Sequence, residues 1–416
     1  MRGYCWRALQ RVTGRCPALQ AAPPILAALA LALGALAALA ALASTPCLAG
    51  SAAASQSSPA ASGEAVLPGA TLQFPRDYGS HPQFGIEWWY ITGWLQDARG
   101  KPLGFQVTFF RVHRKLDAPN PSAFAPDQIL IAHVAISDPQ RGRLWQEQRV
   151  RRAGLGLVQA ASGDTDVVMD DWRLQRHSDG TRSIYQASVA AEDFALQLTL
   201  TDERAPLLNG TQGFSQKGPA LRSASYYYSE PHLQVRGSVV RGTRRDSVTG
   251  EAWLDHEWAS EYLDPAAQGW DWAGINLQGG GSLMAFEIRD RQGHDYWGGG
   301  TLRDAHGHVQ ILSAAQVQFT PLRHWRSPHS NVSYPVAELL RAGAQRLVLE
   351  PLMDDQEFDA RSSSGAYYWE GAVTARAAGR EAAGTPLAAA APALTPAPEG
   401  RGYLELTGYD RPLSLR

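Results

Sequence analysis

The densest set of chemically capable residues in this sequence is Trp253-Leu254-Asp255-His256-Glu257-Trp258. Two carboxyl groups flank an imidazole, and tryptophans stand on either side. In an extended strand alternate residues share a face. His256 and Trp258 then point one way with Ala252 and Leu254, while Trp253, Asp255 and Glu257 point the other. Three ionisable neighbours among indoles are expensive to bury unless they are paired. One reading is a strand end carrying a satisfied, structural His–carboxylate pair. The other is an acid–base site. Hydration of an isolated alkene needs a strong general acid in a dry pocket, and burial keeps a carboxyl group protonated there by raising its pKa. Aromatic faces stabilise the carbocation, and a base-bound water captures it. Asp255 or Glu257 as acid, His256 as base or orienter and Trp258 as cation stabiliser meet that requirement.

A second cluster is Glu87-Trp88-Trp89-Tyr90. Glu87 shares a face with Trp89 and Ile91, and Trp88, Tyr90 and Trp94 share the other. Trp88 and Trp94 read as core packing. His133 is a lone imidazole in the apolar run Ile129–Ile136, and such a histidine is more often a hydrogen-bonded core residue than a catalyst. Tyr226-Tyr227-Tyr228 offers phenols to both faces of a strand. Conventional signatures are missing. There is no Gly-x-Ser-x-Gly elbow, no His-Glu-x-x-His, no P-loop and no dinucleotide fingerprint. His306-Gly307-His308 reads as a solvated turn, not a metal site. Neither metal nor cofactor is expected.

The elements that must position these residues are strands. Short alternating or fully apolar runs are punctuated by turn signals such as Ala98-Arg99-Gly100 and Gly279-Gly280-Gly281. The best candidates are Trp88–Leu95, Gly104–Val112, Ile129–Ser137, Phe194–Thr201, Glu251–Trp258, Trp270–Leu277, Ser282–Arg289 and Tyr403–Gly408, and no long amphipathic helix is visible. A loose internal repeat relates Trp88–Arg111 to Trp270–Arg289: paired tryptophans, a Gly, a turn and an apolar strand ending in Arg. It places a boundary near Arg245. The Ala/Pro-rich stretch 377–400 reads as an overgrown hairpin loop.

The first carboxylate is Glu64, whereas Arg2, Arg7, Arg11 and Arg15 precede an Ala/Leu run and a small-residue exit at Cys47-Leu48-Ala49. This is the pattern of a cleaved secretory signal over 1–49, with a flexible linker over 50–73. A retained membrane anchor is the alternative, since the run is long enough to span a bilayer. All three cysteines lie in this segment, so a mature chain has no disulfide or thiolate chemistry. Removing four arginines from 38 basic residues leaves 34 against 40 acids, and nothing points to a nucleic-acid partner.

Glu87-Trp88-Trp89-Tyr90 with Thr92-Gly93, Ala132-His133, Gly213–Gly218, Tyr227-Tyr228-Ser229, Trp253–Trp258, Trp270-Asp271-Trp272, Tyr368-Trp369-Glu370-Gly371 and Gly402–Tyr409 together resemble the AttH-like, lipocalin-related family, which includes the carotenoid 1,2-hydratases. The resemblance implies an all-β chain with two tandem lipocalin-like β-barrel domains, 74–245 and 246–416. It also implies a catalytic His-x-Trp pair, matched by His256 and Trp258, and a Tyr-x-Asp pair whose apparent counterpart, Leu283–Glu287, lacks both residues; Glu287 is the substitute acid. The combined reading is an exported protein (periplasmic, secreted or cell-surface) with an apolar pocket. It acts as a hydratase or isomerase on an isoprenoid or lipid-like substrate, or carries such a ligand without chemistry. Asp255, His256, Glu257 and Trp258 are the candidate catalytic residues. Glu87, Trp89, Tyr90, His133, Tyr228, Trp270, Trp272 and Glu287 are the candidate ligand-binding residues. No stable membrane span is expected after signal removal.

Overall fold

A computed structural model describes residues 63–113, 127–180, 182–378 and 399–412. The expected signal sequence, most of the linker and the interior of the 377–400 loop lie outside the described residues. Among the described residues helix is confined to two three-residue 3-10 turns, Arg76–Tyr78 and Ala314–Gln316, and the rest of the regular structure is strand. No helix there is long and apolar enough to cross a membrane.

The strands form two antiparallel sheets with the same wiring. In each, the opening hairpin continues outward on one side, and the last strand returns to pair with the first. In the first sheet Ile86–Asp97 lies between Pro102–His113 and Arg244–Ala259. In the second, Ala267–Leu277 lies between Ser282–Asp290 and Gly400–Leu406. The return of the last strand to the first curls the first sheet into a nearly closed barrel and the second into a half-barrel. Cross-strand apolar pairs supply much of the energy of such a sheet. The first barrel is filled accordingly by the inward-facing Ile91, Phe105, Val107, Val134, Leu196 and Leu254.

Two expectations need correction. The sheet boundary does not fall at Arg245: Arg244–Ala259 pairs with Ile86–Asp97 and Ala224–Arg241, so the His256 strand belongs wholly to the first sheet. The second sheet starts at Ala267. The loose repeat marked where each opening hairpin lies, but not that each sheet closes with its own last strand. The linker is also shorter than expected. Glu64 donates its backbone N–H to Gln83 O, Leu67 bonds the Tyr226 hydroxyl at 3.1 Å, and Val66 is buried in the core.

The outer face of the first sheet packs against the second sheet through Tyr90, Trp94, Tyr227, Trp253, Trp272, Phe286 and Tyr403. Trp94 Nε1 donates to Gly402 O at 3.0 Å across this seam. Gly274 is required there, because a Cβ would sit 2.5 Å from the Trp272 ring and 3.0 Å from Trp253.

Candidate active site

Period-two alternation divides the ionisable residues of two neighbouring strands, Ile86–Asp97 and Arg244–Ala259, between two environments. The inward set is Glu87, Trp89, His256 and Trp258, with Trp258 opposite Glu87 and His256 opposite Trp89. Glu87 Oε1 accepts from His81 Nδ1 at 2.7 Å and His256 Nε2 at 2.9 Å. Glu87 Oε2 accepts from Arg111 Nε at 2.8 Å and the His81 backbone N–H at 2.9 Å. Asp77 takes the far side of His81 at 3.3 Å, and Tyr228 bonds His256 Nδ1 at 3.0 Å. Trp258 stacks on His81 with ring centres 3.7 Å apart, and Trp89 stacks on His256 at 4.6 Å.

Burial pushes the Glu87 carboxyl up, but hydrogen bonds from His256 and His81 outweigh it and hold the group well below the ordinary value. At His81 burial disfavours the cation, yet Asp77 and Glu87 raise its pKa. At His256 burial prevails over Glu87 and the pKa falls. The cluster therefore pairs two carboxylates with His81 and Arg111 and keeps His256 neutral, its Nε2 proton on Glu87. His81, Glu87 and His256 are also compact enough to share an ion. Their facing atoms, however, already touch at hydrogen-bond distance, and Arg111 supplies the positive charge on Glu87.

The outward faces of the same strands form the floor of a cavity of about 380 Å³, roofed by the second sheet. Register arranges the floor in rows. One row runs His133, Thr108, Tyr90, Asp255, Ser229, and the next runs Val150, Ile131, Phe110, Trp88, Glu257, Tyr227. The roof contributes Phe286, Trp272, Glu405 and Glu370 on four adjacent strands. Apolar side chains thus surround a group of acids contributed by both sheets.

Asp255 accepts from the Tyr227 hydroxyl at 2.6 Å, Ser229 Oγ at 2.5 Å and Trp253 Nε1 at 2.6 Å. Tyr227 in turn accepts from Trp272 Nε1 at 3.0 Å. Glu257 takes Lys217 Nζ at 2.9 Å and the Ser225 hydroxyl. Burial raises Asp255 to about 7 despite its three donors. It raises Glu257 against the pull of Lys217 and lowers Lys217 against the pull of Glu257. Burial and then Glu405 drive Glu370 well above the ordinary carboxyl value. Burial also carries Glu405 to about 7, against the Trp270 indole and helped by Asp255 and Glu257. Four carboxyl groups thus share the cavity with one ammonium. In an apolar space like charges cannot all ionise, so carboxylic acids persist there at neutral pH.

Of the residues singled out from sequence, Asp255, Glu257, Tyr90, His133, Trp270 and Trp272 line this cavity. His256, Trp258, Glu87, Trp89 and Tyr228 do not: they point into the first barrel and make the saturated cluster above. The set Asp255-His256-Glu257-Trp258 is therefore split, because neighbours on a strand face opposite ways. Glu287 also faces away, on the inner side of the second sheet, where it accepts from Phe319 N at 3.4 Å and burial carries it to about 8. His133 is held neutral by burial, its pKa lowered to about 3, between the Tyr368 hydroxyl at 2.9 Å and Ser363 Oγ at 2.7 Å. Lys217, Tyr227, Glu370 and Glu405 were not singled out as site residues. Each lies in a segment that carried the family resemblance, and that overlap was the available signal.

A crystal structure of an AttH-type protein from Nitrosomonas europaea is 49% identical to the chain and covers 83% of it and 99% of that protein, with a TM-score of 0.74. Kievitone hydratase from Nectria haematococca is similar in fold, with 15% identity, 85% and 96% coverage and a TM-score of 0.59. No curated protein matches the chain. The AttH-like family matches residues 65–409, nearly all of the described structure. The chain belongs to the AttH-like family.

Proposed function

We propose that this protein is an exported hydratase- or isomerase-type enzyme, acting on an isoprenoid or other lipid-like molecule bound between the two sheets. The observation that carries the reading is the set of four carboxyl groups facing one ammonium in a largely apolar cavity. A carboxylic acid that stays protonated at neutral pH is the donor that an unactivated alkene needs. When Asp255 is protonated its O–H donates to the Tyr227 oxygen, which turns the Tyr227 O–H towards the cavity, so Asp255 is the acid and Tyr227 relays its proton. That proton adds to one alkene carbon, and the positive charge on the other carbon faces the rings of Trp88, Trp270 and Tyr262. Water then adds to the cation and returns a proton to Asp255 by way of Tyr227, so that the acid is regenerated. Isomerisation is the same first step followed by loss of a different proton. Export rests on the basic start and Ala/Leu run of the first 49 residues.

A carrier without chemistry is the second reading, favoured by the three protein donors that already occupy Asp255. Native mass spectrometry of the purified protein, followed by incubation of the co-purifying ligand in D2O, separates the two. Deuterium at former alkene carbons supports the enzyme, and an unexchanged ligand supports the carrier.

A further inference from the structure

The two polar stations in the cavity differ in how fully the protein satisfies them. At Asp255 three protein donors occupy the carboxyl group, and at Glu257 Lys217 and Ser225 do the same. At the second station, where Tyr90 on the floor meets Glu370 on the roof, capacity is left over. Glu370 Oε2 accepts from Gln106 Nε2 at 2.6 Å, and the same amide reaches the Tyr368 hydroxyl at 3.1 Å. Glu370 Oε1, the Tyr90 hydroxyl and Gln106 Oε1 have no partner of ordinary hydrogen-bond geometry. The three residues are 2%, 6% and 2% exposed. Buried polar atoms without partners each cost about 1–3 kcal/mol, and proteins rarely leave several together unless something else supplies the bond.

We propose that Tyr90 and Glu370 form a receptor for one oxygen-bearing group of the ligand, so that the ligand is an oxygenated apolar molecule and not a plain hydrocarbon. This rests on the reading of the cavity as a ligand pocket. The positioning is built in. His133 fixes Tyr368, Tyr368 and Glu370 fix the Gln106 amide, and Gln106 holds one oxygen of Glu370, leaving the other to Tyr90 and to whatever enters beside it. Glu370 is raised by burial and by Glu405, and Tyr90 by burial and by Glu370. Both therefore carry their protons at neutral pH; the two groups lie near enough to interact with each other, and a ligand oxygen entering between them can accept from either O–H. A phenol beside a neutral carboxylic acid is suited to a carbonyl or hydroxyl oxygen, and it strengthens as negative charge develops there. The cavity floor then has an order. The oxygen lies at Tyr90 and Glu370, the neighbouring carbon skeleton passes the Asp255–Tyr227 pair, and the remainder extends along Trp88, Phe110 and Ile131.

The test compares farnesol with farnesene, which share a skeleton and differ by one hydroxyl, by titration of intrinsic tryptophan fluorescence. Trp88, Trp270 and Trp272 line the cavity and report occupancy. A site built to bond a hydroxyl rejects the analogue that lacks it. The expected result is farnesol bound at least about tenfold more tightly than farnesene. Tyr90→Phe and Glu370→Leu should remove that preference, so that each variant binds the two compounds within about twofold of one another. Farnesal in parallel distinguishes a carbonyl from a hydroxyl preference. Equal binding of farnesol and farnesene by the wild type would mean that a buried water satisfies the pair, and would overturn the inference while leaving the pocket reading intact. The same holds if both variants keep the tenfold preference. If neither compound binds, the pocket reading itself fails and the inference with it. Thermal melts of the two variants show that they are folded before either is scored.

Discussion

Two regions of this molecule lie back to back on the same two strands, and both are full of buried ionisable groups. Inside the first barrel, Glu87 has a donor on each oxygen, and its charge is balanced by His81 and Arg111. In the cavity between the sheets, Asp255, Glu257, Glu370 and Glu405 face a single Lys217, and Glu370 keeps an unpartnered oxygen. The pKa values move in opposite directions. Glu87 is pulled down by its partners, whereas the cavity acids are pushed up by burial. Burial alone therefore does not mark a site. Charges that are paired off hold a fold together, and acids left with too little countercharge hold protons that chemistry can use.

The largest expected effect breaks the barrel side of the comparison. Glu87→Ala removes the acceptor of Arg111, His81 and His256 together and leaves Arg111 a cation without its carboxylate in the core, while His81 keeps Asp77. Losing one partner of a buried ion pair costs roughly 3–5 kcal/mol, so a urea melt should show a loss of that order. A loss under about 1 kcal/mol would mean that the cluster is not what holds this end of the barrel. Asp255→Asn comes next and acts on the cavity. It should leave the protein folded at neutral pH and lower turnover by the roughly 10²–10⁴-fold typical of a general acid. Wild-type turnover should also fall as pH rises through about 7, the value to which burial carries Asp255. A profile flat to pH 9 would remove Asp255 from the acid role.

The third effect is smaller and concerns a residue that sequence alone placed at the catalytic centre. His256→Ala takes one donor from Glu87, which keeps Arg111 and His81, and strands the Tyr228 hydroxyl. An unsatisfied buried group costs about 1–3 kcal/mol, so that destabilisation is expected, with ligand affinity measured by fluorescence unchanged. A stable variant that has lost ligand binding would reverse the assignment of the two faces.

Alternation made the faces of Asp255 and His256 legible in the sequence, and the turn signals made the strands legible. Which face meets a cavity was not, because that depends on a second sheet more than ten residues further on. Tyr227 and Tyr228 illustrate the limit. Both lie in one tyrosine triplet, but the pairing of Tyr228 with His256 and Tyr227 with Glu257 sends the first inward and the second to the cavity. The resemblance pointed to a Tyr-x-Asp pair on one strand near Glu287. The structure offers a Tyr–Asp pair made across two strands, Tyr227 to Asp255, which no spacing along one strand encodes. Glu370 and Glu405 were within recognised segments, yet their role emerges only when the roof is laid over the floor.

The last effect is in the pH dependence of stability, and it separates the two regions by sign. Glu87 and Asp77 are lowered in the folded state, so what they contribute is present above the unfolded carboxyl pKa and lost as pH falls through the folded one. Asp255 is raised to about 7, so its contribution is present below its unfolded value, about 3.9, and lost as pH rises towards 7. Between those limits the folded state binds the extra proton, and stability declines with pH by at most about 1.4 kcal/mol per unit for this one group. Asn does not titrate. The stability of wild type relative to Asp255→Asn should therefore be higher at pH 5 than at pH 8, as read from urea midpoints at the two values. Glu87→Gln should show the opposite trend on the acid side, with its deficit shrinking as pH falls below 4. A difference between wild type and Asp255→Asn that stays constant from pH 5 to 8 would mean that Asp255 is ionised throughout, paired like Glu87, and that the cavity holds no proton at that position.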